Sequence, residues 1–113
     1  MIAKVRFQSV TNRETWLERM EVLDAETGRP MDYSTAAFRV FVTSEGEAPA
    51  GLSAPGDGVV TGTAEGIVEW LFPESAMRTL EPGHYAVGVV YEQDGRFVQL
   101  LTGILPVEDG VVA

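Results

Sequence analysis

The sequence predicts an all-β domain built as an antiparallel sandwich. Short runs rich in Val, Phe, Tyr, Trp and Thr recur along the 113 residues, and Gly and Pro separate them. In several runs apolar and polar side chains alternate, which is the period of a strand with one buried face. The length suits a single domain, residues 1–113, that buries a core of its own.

Three strands are predicted in the first part of the chain. The run IAKVRF is the first. In ETWLERMEVLD, even spacing of Trp16, Met20 and Val22 favours a strand, with a short helix as the alternative, and DAETGRP follows as a turn. In AAFRVFVTS, Phe38 and Val40 share the face opposite to the polar side chains.

The middle of the chain predicts a connection, a strand pair and one helical turn. EGEAPAGLSAPGDG reads as a Pro/Gly-rich connection with a short edge strand near Leu52. GVVTGT and GIVEWLF form a pair around AEG, with Val68, Trp70 and Phe72 on one face. PESAMRTL predicts a short helical turn near residues 73–80, because proline and glutamate both suit a helix N-terminus.

The last third predicts a β-hairpin. HYAVGVVYE alternates, and Asp94-Gly95 in QDGR suits the positive φ angles of a type I′ turn. The return strand RFVQLLTGILPV carries one apolar set at even spacing: Phe97, Leu101, Leu105 and Val107. About seven or eight strands result, which is the size of an immunoglobulin-like β-sandwich.

Two residue sets follow from these elements. The candidate core consists of the inward side chains Trp16, Phe38, Val40, Trp70, Tyr85 and Val87. The candidate structural turn residues are Gly28, Pro82, Gly83, Asp94, Gly95 and Gly103.

Several strands also carry apolar residues on their second face. A solitary antiparallel sandwich usually presents a polar outer face, so a second apolar face predicts a covered surface. The candidate partner surface comprises Val90, Val98, Leu100 and Ile104. The alternative is a curled or barrel-like sheet that buries both faces within one chain.

Composition excludes several classes of partner. The net charge of −9 disfavours nucleic acid and anionic membranes, which need clustered Lys and Arg. No apolar run approaches the roughly 20 residues of a membrane span, so no membrane insertion is expected. The N-terminus lacks the apolar core of a signal peptide, so secretion by that route is not expected either.

The sequence predicts no catalytic, metal-binding or cofactor-binding site, and hence no enzyme. His84 is the single histidine, and it follows Pro-Gly at the start of a strand, where a turn role fits better than catalysis. One histidine and no cysteine leave too few ligands for zinc. The glycine-rich segment PGDGVVTGTAEG lacks the Gly-Lys-Ser/Thr ending of a phosphate-binding loop.

The turns and strands follow a specific order. A strand ends in Asp and Gly before a polar step, and a short helix, PGxY, a strand, DG and a last strand with xxGxLxV follow. The residues of this framework are Asp24, Gly28, Asp32, Ser34, Pro82, Gly83, Tyr85, Asp94, Gly95, Gly103 and Val107. Over roughly residues 5–107, the framework resembles that of small immunoglobulin-like virion proteins of tailed bacteriophages, related to the N-terminal domain of baseplate upper proteins. Tyr33 stands where the family usually has leucine.

The resemblance implies a non-enzymatic structural protein of the virion, assembled in the bacterial host cytoplasm. It would be an adaptor or decoration module that docks on other tail, neck or capsid proteins, as a homo-oligomer or in many copies. The alternative is a carbohydrate-binding β-sandwich for host-surface attachment, with Trp16, Tyr33 or Tyr91 stacked on sugar. A small hydrolase using His84 ranks last.

Overall fold

Two β-sheets pack face to face in the computed structural model, which describes residues 3–44 and 51–110. The large sheet has the strand order β1-β9-β8-β4-β5, with β2 also paired to β9, and the small sheet has the order β3-β7-β6. The elements in chain order are β1 Ala3–Arg6, β2 Val10–Thr11, β3 Trp16–Glu21, β4 Ala37–Ser44, β5 Gly51–Ala54, β6 Val59–Gly62, β7 Ile67–Phe72, α1 Glu74–Met77, β8 Gly83–Gln93 and β9 Arg96–Glu108.

The predicted all-β sandwich with one helical turn is confirmed. The segment ETWLERMEVLD forms a strand, β3, and the edge strand predicted near Leu52 is β5. One edge of the large sheet is mixed rather than purely antiparallel, because β1 and β2 run parallel to β9. Residues 45–50 of the predicted connection lie outside the described residues.

An aromatic cluster joins the two sheets. The ring of Trp16 lies 5.5 Å from that of Phe7, 5.9 Å from that of Trp70 and 5.8 Å from that of Phe72, measured between centroids. Trp16 and Trp70 belong to the small sheet, whereas Phe7 follows β1 of the large sheet. The contacts with Phe7 and Trp70 are edge to face and that with Phe72 is stacked, and both arrangements add to the free energy that burial of the rings contributes. All six candidate core residues are buried, namely Trp16, Phe38, Val40, Trp70, Tyr85 and Val87.

The helical turn α1 closes one end of the sandwich. Its Met77 and the following Leu80 are buried, as their apolar character predicts. Glu74 and Arg78, four residues apart, form an ion pair at 2.6 Å on the exposed side. Each side of this short turn therefore has a stabilising contact.

Two turns have the positive φ angles that their residues favour. Asp94 and Gly95 have φ of 54° and 78°, which are the angles of a type I′ turn between β8 and β9. Gly28 has φ of 71°, and its N–H donates to the carbonyl of Asp24 at 2.8 Å. Pro82 and Gly83 lie where the chain enters β8.

The prediction of a turn at Gly103 is wrong, because this glycine lies inside β9. It is paired with Val5 on one side and Val87 on the other. A Cβ atom at this position would stand 2.7 Å from the carbonyl oxygen of Val5 and 2.7 Å from the ring of Phe7. The close approach of the β1 backbone therefore requires glycine here.

A β-bulge in the hairpin changes which residues of β9 face the core. Val90 pairs with Gln99, but the preceding Val89 pairs with Leu101, so Leu100 has no partner in the ladder. The extra residue reverses the in–out alternation on its N-terminal side. Phe97, predicted to share the core face of Leu101, is 82% exposed instead. The prediction for Phe97 is wrong for this reason.

We expect Gly103→Ala to lower the free energy of unfolding by about 1–3 kcal/mol, because its methyl group clashes with backbone. Gly88→Ala is the matched control within the same sheet. Its Cβ would meet only Nε2 of Gln99, at 4.0 Å, so we expect a change of about 0.5 kcal/mol or less. Urea unfolding of both variants measures the difference, and equal effects would contradict this account of Gly103.

Candidate protein-interaction surface

The outward face of the large sheet carries exposed apolar side chains. In β4, Phe38, Val40 and Val42 point inward, so Phe41 points outward and lies opposite Gly88 of β8. Val90 is on the same face. We name the set Phe41, Val90, Phe97 and Ile104 the outer apolar patch. Phe41 and Ile104 are each 40% exposed, in addition to the largely exposed Phe97.

The bulge divides the partner surface that the sequence predicted. Val90 and Ile104 lie on the outer face, whereas Val98 and Leu100 pack against the core. The reason is the unpaired Leu100, which reverses the faces of the residues before it. The expectation that all four side chains share one outer face is therefore corrected.

Sequence reasoning missed two members of the outer apolar patch. Simple alternation in AAFRVFVTS places Phe41 on the outer face, so a signal for it existed. For Phe97 the alternation of β9 pointed to the wrong face. The signal for the bulge in the sequence is the adjacent pair Leu100-Leu101, because two successive apolar residues that both face the core break the alternation of a regular strand.

Basic side chains surround the outer apolar patch. Lys4 and Arg6 of β1 lie opposite Thr102 and Ile104, and Arg39 of β4 lies opposite Val90. All three are exposed. Three of the chain's 8 basic residues thus lie on one face, although acidic residues number 17 in the whole chain. The acidic strand residues on this face, among those described, are Glu92 and Glu108.

A shallow depression deepens one end of the outer apolar patch. Its volume is about 420 Å³, and Arg39, Val90, Glu92 and Phe97 are among its lining residues. The exposed ring of Phe97 forms one wall beside an arginine and a glutamate. An apolar side chain of a partner protein would fit this depression, with polar contacts at its rim.

The outward face of the small sheet combines an apolar row with acidic side chains. Leu17, Leu71 and Val59 are paired in a row across β3, β7 and β6, and we name them the small-sheet row. Leu17 is 54% and Val59 60% exposed. Beside the row lies a depression of about 580 Å³ lined by Arg19, Glu21, Thr61, Thr63, Glu65, Ile67 and Glu69 among others. This face is therefore apolar at one end and predominantly acidic at the other.

A cleft of about 300 Å³ separates the free edges of β1 and β3. Val5, Met20 and Trp70 line its apolar part, and Arg6 and Glu18 are among its polar residues. The indole N–H of the buried Trp70 has no hydrogen-bond partner among the described residues. Two rings, those of Phe7 and Trp16, contact Trp70 edge to face, which limits the room beside its indole.

His84 has no arrangement of groups around it that supports catalysis. It lies exposed at the start of β8, opposite Pro106. Within residues 3–44 and 51–110, no hydrogen bond joins its ring to a carboxylate that would orient it. In the same ranges no group of three or more His, Cys, Asp or Glu residues is placed to hold a metal ion. No helix in the described part of the chain has the length and apolarity needed to cross a membrane.

The aromatic side chains proposed as a sugar platform lie in the core. Trp16 is 2%, Tyr33 1% and Tyr91 9% exposed. The rings of Tyr33, Phe38 and Tyr91 form a second cluster with centroids 5.0–5.1 Å apart. Because stacking on a sugar requires an open ring face, the carbohydrate hypothesis loses the residues on which it depended.

Several residues of the framework of turns and strands described in the sequence form local hydrogen bonds. Oδ1 of Asp32 accepts from N–H and Oγ–H of Ser34 at 2.9 and 2.6 Å, and these bonds lower the pKa of the Asp32 carboxyl. The hydroxyl of Tyr85 donates to the carbonyl of Glu81 at 2.6 Å, as in the tyrosine corner of immunoglobulin-like domains. Burial raises the pKa of Tyr85. The framework residues thus stabilise turns and strand entries.

Comparison with known proteins finds similarity among solved structures. No protein-family model matches the chain, and no curated protein matches it. Among solved structures, the chain is similar to the N-terminal domain of phage TP901-1 ORF48. The alignment covers 96% of this chain and 86% of that chain, with 14% sequence identity and a TM-score of 0.47. Values this low do not assign a function.

We expect stability to decline as pH rises above about 10, in part because of Tyr33. Burial, and then the neighbouring Tyr91, raise the pKa of Tyr33 above its ordinary value of 10.0. A raised folded-state pKa contributes stability that is present below the unfolded pKa and is lost as pH rises toward the folded one. Tyr33→Phe should therefore flatten the decline, measured by urea unfolding at several pH values from about 8 to 11.

Phe97→Ser is the control for this titration, because it changes an exposed residue and leaves every tyrosine in place. Its free energy of unfolding should decline with pH as steeply as that of the wild type. An unchanged slope in Tyr33→Phe would contradict the assignment to Tyr33.

Proposed function

We propose that the chain is a non-enzymatic structural protein of a tailed-bacteriophage virion, an adaptor or decoration module that docks on other tail, neck or capsid proteins. The observation that carries the proposal is the outer apolar patch, with Phe97 82% exposed on a folded sheet. An exposed apolar face with a polar rim is typical of protein–protein interaction sites.

The phage setting rests on the sequence framework from Asp24 to Val107. Its residues have local roles in the structure, including the Asp24 turn, the Asp32–Ser34 bonds and the Tyr85 corner. A framework of turns preserves a fold and leaves the sheet faces free to vary. Function is then carried by the faces, and here one of them is apolar with a basic rim.

The expected mode of docking is burial of aromatic anchors. Phe41 and Phe97 project from neighbouring regions of one sheet face, and aromatic residues commonly dominate the affinity of interfaces. The basic rim of Lys4, Arg6 and Arg39 favours a partner surface with acidic groups, and it influences orientation and association rate more than affinity. A large apolar partner is not required, because depressions of this size accept single side chains.

The test is incorporation into particles of the phage that encodes the chain. Mass spectrometry of purified virions should detect the wild-type chain, whereas the double variant Phe41→Ser/Phe97→Ser should be depleted at least about tenfold. Truncation of an aromatic hot spot costs about 2 kcal/mol or more, and 1.4 kcal/mol corresponds to a factor of ten. Absence of the wild-type chain from the particles would overturn the proposal.

Leu23→Ser is the matched control for this experiment. Leu23 is 51% exposed, and it lies outside the outer apolar patch. Its replacement should leave incorporation unchanged. Equal depletion of control and double variant would show that the outer apolar patch is not the docking surface.

A further inference from the structure

The two outward faces of the sandwich differ in charge in a way that makes them complementary. We propose that copies of this chain associate head to tail, with the outer apolar patch of one copy against the small-sheet row of the next. The inference rests on the proposed role of the outer apolar patch as a docking surface, and it names a second copy of the chain as an occupant.

Charge favours contact between unlike faces. The large-sheet face has Lys4, Arg6 and Arg39 around its apolar side chains. The small-sheet face has Glu21, Glu65 and Glu69 around its depression, together with one cation, Arg19. Placing the basic rim of one copy near the acidic end of another sets opposite charges together.

The same charges disfavour a symmetric dimer. In a two-fold interface this face contacts itself, so Lys4, Arg6 and Arg39 of one copy meet a surface with three basic residues and, among the described strand residues, only two acidic ones, Glu92 and Glu108. Like charges brought together at an interface oppose association. A contact between different faces avoids this repulsion.

Each face presents apolar side chains that the other can cover. The small-sheet row runs across three strands, with Leu17 and Val59 at its ends and Leu71 between them. On the large sheet, Gly88 separates Phe41 from Thr102. Gly88 has no side chain and the ring of Phe41 beside it is 40% exposed, so we expect the small-sheet row to pack against that ring.

Because the two faces lie on opposite sides of the sandwich, each copy keeps one free face after pairing. A head-to-tail contact of this kind produces a closed ring or an open filament. The small-sheet face spans two strands of six residues, about 20 Å each, and one of four residues, about 13 Å, so it covers roughly 250 Å² in its plane. This is well below the ~800 Å² per partner of a standard interface, so we expect weak association that strengthens in a closed assembly.

Sedimentation velocity with two single-face variants tests the inference. Phe41→Glu blocks the large-sheet face and Leu17→Lys blocks the small-sheet row, and both change exposed side chains, so both should fold. The wild type should show an average mass that rises with concentration beyond that of a dimer. Each variant alone should associate at least tenfold more weakly and remain monomeric where the wild type does not.

A mixture of the two variants decides the geometry. Each retains the face that the other lacks, so an equimolar mixture should form a heterodimer and no larger species. Ser75→Lys, at an exposed position of the helical turn α1 and so in neither sheet face, should associate like the wild type. Self-association of Leu17→Lys as strong as that of the wild type would overturn the head-to-tail contact, and so would a wild type that stays monomeric up to about millimolar concentration, the weak end of specific binding.

Particle incorporation separates this inference from the proposed function. A wild-type chain that is present in virions but monomeric in solution would overturn the head-to-tail contact and support the virion role. A chain that self-associates as described but is absent from virions would support the head-to-tail contact and overturn the virion role.

Discussion

The hairpin formed by β8 and β9 is the constraint on which the large sheet depends. Its pairing runs from Gly83–Val107 to Gln93–Arg96, the longest among the strands of the described residues. β8 also pairs with β4, and β9 also pairs with β1 and β2, so the hairpin supplies a partner to three other strands. The reversal requires positive φ at two successive residues, which Asp94 and Gly95 adopt at low cost.

The bulge within this hairpin determines the chemistry of the outer face. Because Leu100 is left out of the ladder, the strand contributes both a continuous buried face from Leu101 to Val107 and an exposed Phe97 near the turn. Leu100 itself packs against the core. A regular strand with the same sequence would bury Phe97 and expose a smaller aliphatic side chain. The largest exposed apolar group of the described residues thus results from one extra residue.

The net charge of the chain says less about its partners than the positions of its charged residues on the two sheets. A net charge of −9 predicts solubility and disfavours phosphate-rich partners. The strand pairing nevertheless collects Lys4, Arg6 and Arg39 on one sheet face, although they are far apart in sequence. Glu21 and Glu69 lie on the outward face of the other sheet, where Arg19 is paired with Glu69. The two outward faces of this acidic protein therefore differ in the sign of their prevailing charge and in the partners they favour.

The sequence by itself determined the features that depend on neighbours along the chain. Alternation identified the inward faces of β3, β4, β7 and β8, and the Asp-Gly, Pro-Gly and Pro-Glu pairs located the hairpin turn, the entry to β8 and the helical turn. These features follow from local backbone preferences and from a period of two residues. Four core aromatic residues, Trp16, Phe38, Trp70 and Tyr85, were found for the same reason, whereas Phe7 and Tyr33 were not.

Only the tertiary structure decided the features that depend on residues distant in sequence. The bulge is a property of register between two strands, and no period within β9 reveals which residue is left unpaired. Gly103 is required because β1 approaches from the far end of the chain, and not because the chain turns there. The grouping of Lys4, Arg6 and Arg39 likewise depends on which strands become neighbours. Local pattern defines what each strand buries, and strand pairing defines what the assembled faces present to a partner.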